Sequence, residues 1–201
     1  MVVLLVMTID PRKFHKMVVT DTCSVWNLLS SQILFRSACS AGLHFYITPM
    51  VLYECLYKPR KIETPEKIEL IKRFETARSK NIFPTQTCDL DDLMAVSNRA
   101  PLRLNSGELS CIAIAYKLTT MAIMTDEKLA RRYAEKSLSL HVETTPKLYA
   151  WLHYERHLSD GDHNDVVAEH EKYERRPLTK FLNDAYTTAL QYKLRVKTQI
   201  G

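Results

Sequence analysis

Short apolar runs alternate along this chain with segments of helical period, and that alternation restricts its fold more than any other feature. Met17–Thr20 (MVVT), His44–Thr48 (HFYIT) and Met121–Thr125 (MAIMT) read as strands, with Ile82–Thr87 and Leu138–Val142 as further strands. The runs are apolar on both faces, so both must be covered, as in parallel sheets packed under helices. Between them, Val25, Leu28, Leu29, Ile33, Leu34 and Ala38 carry helical spacing over Ser24–Ser40, and Ala41-Gly42 ends that helix. Pro49 opens a helix through MVLYECLYK, and Thr64-Pro65-Glu66 starts another that runs to about Ser79. Leu90–Val96 is a short helix, Arg99–Asn105 an irregular link, and Ser106 caps a helix through Leu118 whose run Cys111–Ala115 is buried. Glu127–Ser137 is helical, and Thr145-Pro146 repeats the helix-start signature. The expected class is α/β with a central, mostly parallel sheet.

The helical period then continues without strands, and Leu178, Phe181, Leu182, Ala185 and Ala189 share a face. The expected organisation is an α/β domain over residues 1–145, its core starting at about 17, with a helical C-terminal extension over 146–201. At 201 residues the chain can bury a core without disulfides or metal. The net charge of +5 lies entirely in residues 1–150, which favours a polyanionic partner. Five cysteines without a CxxC pair read as free thiols of a reducing, cytoplasmic setting. Met1–Met7 is too short to cross a bilayer and lacks a basic start, so it reads as a buried strand or as sequence outside the main fold, with no membrane partner.

Two of the strands end in acids, Asp21 after MVVT and Asp126 after MAIMT. In open α/β sheets the ligand crevice lies beyond the carboxyl ends of the strands, so these two carboxylates are expected to meet there. Glu54 sits in the apolar run Val51–Leu56, and Glu108 in the first turn of SGELSCIAIAY. Acids embedded in apolar runs are costly unless paired or bound to a cation, and four together suggest a hard cation. Each also has an ordinary reading: Asp21 as a helix cap, Glu108 as a complement to its helix N-terminus, Glu54 as an i,i+4 partner of Lys58.

The segments DTCSVWNLL (21–29), VLYECL (51–56), SGELSCIAIA (106–115) and MTDEKLARRYA (124–134) occur in an order that resembles the motifs of PIN-domain nucleases, including toxin-like members. The resemblance covers roughly residues 17–145. It implies a PIN-like three-layer fold and Mg²⁺- or Mn²⁺-dependent hydrolysis of phosphodiester bonds in single-stranded or structured RNA, leaving 5′-phosphate and 3′-hydroxyl ends. It carries over to Asp21, Glu54, Glu108 and Asp126 as catalytic and metal-binding acids, with Glu127 as a further ligand acting through a water. Thr22 and Thr125 resemble the hydroxyl positions beside the metal. The resemblance also leaves room for an antitoxin or other protein partner, and the apolar face at 178–189 is expected to pack within the chain, with a homodimer or a partner helix as alternatives. The alternative is a catalytically inactive PIN-like module that binds RNA or protein; filled acidic positions argue against it. A small-molecule phosphohydrolase ranks last, for want of a DxD or a glycine-rich phosphate loop.

A basic stretch over Lys58–Lys80 contains Lys72 and Arg73, which read either as phosphate contacts or as a solvated helix face with pairs such as Glu69–Arg73. Arg131 and Arg132 follow Asp126 closely enough to contact the scissile strand. Asp160–Glu171 imitates a calcium loop but lacks its glycine, so it reads as a helix cap. His153 and His157, four apart, read as a helix surface rather than a zinc site.

Overall fold

The computed structural model describes residues 9–59, 64–173 and 178–200, without the side chains of 196–200. Met1–Met7 and the basic residues Arg60 and Lys61 lie outside the described residues. The chain runs β1 (Met17–Thr20), α1 (Thr22–Ser30), α2 (Gln32–Ser40), β2 (His44–Tyr46), α3 (Pro49–Leu56), α4 (Pro65–Ser79), α5 (Leu90–Ser97), α6 (Ser106–Lys117), β3 (Ala122–Met124), α7 (Lys128–Leu138), β4 (Val142–Glu143), α8 (Thr145–Tyr154), α9 (Asp162–Tyr173) and α10 (Thr179–Ile200).

The four strands form one parallel sheet in the order β2-β1-β3-β4. Val18 pairs with Phe45 on one side of β1, and Val19 with Ile123 on the other. Successive strand residues point to opposite faces, yet Ala122, Ile123 and Met124 are all fully buried, so helices cover both faces and the architecture has three layers. α6 packs on β1 and β3, which explains why Cys111–Ala115 is buried all round. No helix among the described residues is long and apolar enough to cross a membrane.

The helices start where the strands stop, because strand-end side chains cap them. Asp21 accepts the N–H of Ser24 to begin α1, Thr48 begins α3 ahead of Pro49, and Thr144 begins α8. α1, α3 and α8 therefore have their N-termini at the carboxyl edge of the sheet, and α7 follows β3 there without a side-chain cap.

The observed elements depart from expectation in several places. The helix expected over Ser24–Ser40 is two helices: Ser31 is extended, caps α2 through the N–H of Leu34, and donates its hydroxyl to Glu169. Ile82–Thr87 is not a strand; Thr85 makes a single parallel bridge to Ile47. Asn105, not Ser106, caps α6, because its side chain accepts the Glu108 N–H while Glu108 accepts its own. The last strand is Val142–Glu143, not Leu138–Val142. On α10, Leu182, Ala185 and Ala189 are buried and the helix packs on α8, but Phe181 is 53% exposed and off that face. His153 is fully buried rather than on a helix surface, with Tyr149 and Tyr186 edge-on at 4.6 and 4.8 Å. Neither of its ring nitrogens has a hydrogen-bond partner among the described residues.

Candidate active site

The β1–β3 pairing brings two acids side by side. Thr20 is in register with Met124, so the residues that follow, Asp21 and Thr125-Asp126, emerge together at the carboxyl edge. The Asp21 N–H continues the ladder to Met124 O at 3.1 Å. Its carboxylate accepts the Ser24 N–H at 2.8 Å and the Thr125 hydroxyl at 2.6 Å. Asp21 is only 2% exposed. Burial pushes its pKa up to about 7; the bonds from Thr125 and Ser24 oppose that rise, and the neighbouring charge of Asp126 adds to it.

Asp126 is held from three sides. Thr145 gives it a backbone N–H at 2.9 Å and a hydroxyl at 2.6 Å, the Asn27 amide donates at 2.7 Å, and Ser24 Oγ lies at 3.4 Å. Asn27 and Thr145, which hold Asp126, are the residues of this cluster that the sequence does not announce. A signal existed for Asn27, an amide in the otherwise apolar run Val25–Leu29. Behind it, the Ser30 hydroxyl donates to Asn27 O and meets His170 Nδ1 at 2.7 Å. His170 Nε2 accepts the Leu178 N–H, so Nδ1 carries the proton and donates to Ser30. Burial drops the His170 pKa to about 4, keeping it neutral. A chain of hydrogen bonds thus ties the start of α10 to the carboxylate at the end of β3.

Glu54 and Glu108 approach from α3 and α6. Glu54 has an 8% exposed side chain, accepts the Thr22 hydroxyl, and has Lys58 Nζ at 3.9 Å. Gly107 is required for this approach: a Cβ there would stand 2.8 Å from Glu54 Oε2. Glu108 is 8% exposed. Burial raises its pKa against the Asn105 N–H bond, and the charges of Glu127 and Glu54 raise it further. One turn along α6, burial pushes the Cys111 thiol well up, and Asp21, Glu54 and Glu108 all add to that. Cys111 is therefore an uncharged floor beneath the acids rather than a nucleophile.

The structure thus brings Asp21, Glu54, Glu108 and Asp126 into one electrostatic cluster, with Thr22 and Thr125 bonded to two of them. Glu127 is exposed at the rim, its N–H on Thr125 Oγ1 at 3.2 Å. Arg131 is half-buried one turn further along α7. Lys72 and Arg73 stand apart. The Arg73 guanidinium donates to Leu29 O, Ser30 O and Tyr173 Oη at 2.9, 3.3 and 2.9 Å and lies over the Tyr173 ring. Those carbonyls end α1, about 13 Å along the helix from Asp21. Lys72 is exposed and lines a groove of about 590 Å³ with Arg36 and Lys80, between α2 and α4.

The donor set consists of carboxylate and hydroxyl oxygens, the chemistry of Mg²⁺ and Mn²⁺ rather than of zinc. Among the described residues no three acidic, histidine or cysteine side chains converge tightly enough to hold one ion directly. Each carboxylate is turned instead onto a protein donor. A cation that retains several waters fits such a spread set, and the nearly buried Asp21, raised by burial and by a second acid, is the group it would relieve most.

No curated protein matches the chain. A family model described as a PIN domain matches residues 17–164, which includes all four acids and extends through α8 into the start of α9. PIN domains are generally nucleases that use divalent metals, and the acid-lined carboxyl edge of a parallel sheet agrees with that match: the chain belongs to the PIN-domain family.

Proposed function

We propose that this PIN domain is a metal-dependent endoribonuclease that hydrolyses phosphodiester bonds of single-stranded or structured RNA. The observation that carries the reading is the adjacency of Asp21 and Asp126 at neighbouring strand ends, with Glu54 and Glu108 within electrostatic reach. Asp21 and Asp126 would hold Mg²⁺ or Mn²⁺, and Glu54, Glu108 and Glu127 would reach it through waters. A cation bound there supplies Lewis acidity and a water made acidic enough to attack phosphorus in line.

The remaining roles fall to the chain's own groups. Thr125 and Thr22 orient the carboxylates of Asp21 and Glu54. Asn27 and Thr145 fix Asp126. Because burial raises the Asp21 pKa to about 7, its carboxyl would give up a proton on taking a cation near neutrality. Arg131, half-buried on α7, would meet the scissile strand, and Lys72 with Arg36 and Lys80 would supply positive charge further along its path. In a toxin setting, the groove these three line is where an antitoxin would compete.

A second reading, an inactive module that binds RNA or protein, is favoured by the absence of a three-donor convergence among the described residues. Incubating the purified chain with single-stranded RNA separates the two. The nuclease reading requires cleavage in Mn²⁺ or Mg²⁺ that EDTA stops and that Asp21→Asn abolishes. RNA left intact under all conditions, or cut equally well by the Asp21→Asn protein, would refute it.

A further inference from the structure

α3 carries Glu54 into the acid cluster, and the same helix presents two tyrosines to solvent. Tyr53 is 47% exposed and Tyr57 67% exposed, with Met50 at 38%. Neither tyrosine ring stacks on another ring or pairs with a cation among the described residues. With about 100° between successive helix positions, Met50 and the C-cap residue Tyr57 lie within about 60° of the Glu54 direction and Tyr53 about 100° away on that same side, while Lys58, just beyond the helix, brings its Nζ to 3.9 Å from Glu54. The C-terminal turn of α3 is well ordered by its own backbone: the N–H groups of Tyr57 and Lys58 both donate to Tyr53 O, at 2.8 and 2.9 Å. Two aromatic faces and an ammonium therefore flank a carboxylate of the proposed metal centre from fixed backbone positions.

We infer that Tyr53 and Tyr57 form a stacking platform for bases next to the scissile phosphate of a single-stranded RNA. Every base has a π-face, so such a platform grips a strand without reading its sequence. Lys58 meets the phosphate that links the stacked nucleotides, which suits its place beside Glu54. The helix itself sets the separation: consecutive turns hold the two rings on one side of α3, as two successive unstacked bases require. A second copy of the chain is less well matched, because the Tyr53–Lys58 turn carries a cation and a carboxylate beside its aromatics, whereas the core of a dimer patch is depleted of charge. The inference rests on the nuclease reading, and it adds to that reading a preference for unpaired strands.

Binding separates the two. In the Asp21→Asn full chain, which retains RNA uncut, fluorescence anisotropy would be measured with a labelled single-stranded oligoribonucleotide and with an abasic phosphate strand of equal length. Tyr53→Ala with Tyr57→Ala should weaken the base-bearing strand by about tenfold or more, leave the abasic strand unchanged, and be rescued by Phe at both positions. Unchanged RNA affinity, an equal loss for both strands, or binding of neither strand would overturn the platform. Sedimentation of the same variants tests the second-copy occupant: a wild-type dimer turned into monomers by the alanines would also overturn it. Cleavage by the wild-type chain is scored separately, so a nuclease whose tyrosines do not matter is distinguished from a chain that is no nuclease.

Discussion

Replacing Asp21 by Asn should stabilise the metal-free protein, and increasingly so as the pH rises. The folded-state pKa of Asp21 is raised from 3.8 to about 7, so the proton it binds favours the fold. That contribution is present in full below 3.8 and is lost as the pH rises through about 7. At about 1.36 kcal/mol per pH unit, the whole interval corresponds to about 4 kcal/mol as an upper bound. Asn at this site keeps an acceptor for the Ser24 N–H and can meet the Thr125 hydroxyl, which rotates, so little packing is lost. Between pH 5 and pH 8, with relaxation discounted, the variant should gain about 2 kcal/mol over wild type. For a chain of this size that is about 4–8 °C in melting temperature. Thermal unfolding in EDTA across that range is the assay. A gap between variant and wild type that stays constant with pH, or that shrinks as pH rises, would refute the assignment of Asp21 as a carboxyl whose pKa is raised by burial. Added Mn²⁺ should then raise the wild-type melting temperature and close the gap at pH 8.

Three further outcomes follow. Gly107→Ala should leave the protein folded but cut activity by about tenfold or more, because its Cβ would displace the Glu54 carboxylate; unchanged turnover in the RNA cleavage assay would show that Glu54 need not occupy that position. His153 and His170 are both held neutral by burial, with pKa values lowered from 6.5 to about 4, so their stabilising effect is complete above 6.5 and lost as pH falls towards 4; His153→Phe should remove about 2–3 kcal/mol of that acid lability, read by urea unfolding at pH 4.5 and 7. Lys72→Glu should weaken RNA binding and flatten its salt dependence, measured by anisotropy from low to moderate salt, whereas Arg73→Glu would mainly unfold α1 from α4, since Arg73 is committed to Leu29, Ser30 and Tyr173.

The acids were legible in the sequence because their signal is local. Asp21 and Asp126 each end an apolar run, and a parallel sheet places the ends of adjacent runs together whatever the loops do. Glu54 and Glu108 announced themselves as charges among apolar neighbours. What holds those acids was not legible, because it depends on elements distant in the chain: Asp126 is gripped by Asn27 and Thr145, 99 and 19 residues away. The break at Ser31 was hidden for the same reason, since Glu169 on α9 rewards it. His153 looked like a surface residue because helical period alone cannot say that Tyr186 of α10 lies across it. On α10 the helical period holds at Leu182, Ala185 and Ala189, which are buried, and just before it at the half-buried Leu178, but not at Phe181, one position from Leu182 and so rotated off the stripe.

The central claim, that the carboxylates at the ends of β1 and β3 with Glu54 and Glu108 form a divalent-cation centre, is tested most directly by titrating the metal-free protein with Mn²⁺ and following free Mn²⁺ by electron paramagnetic resonance at pH 7.5. Wild type should remove Mn²⁺ from solution to a stoichiometric end point that Mg²⁺ competes away, and Asp21→Asn, though folded, should not. Equal Mn²⁺ uptake by the two proteins, or none by wild type, would contradict it.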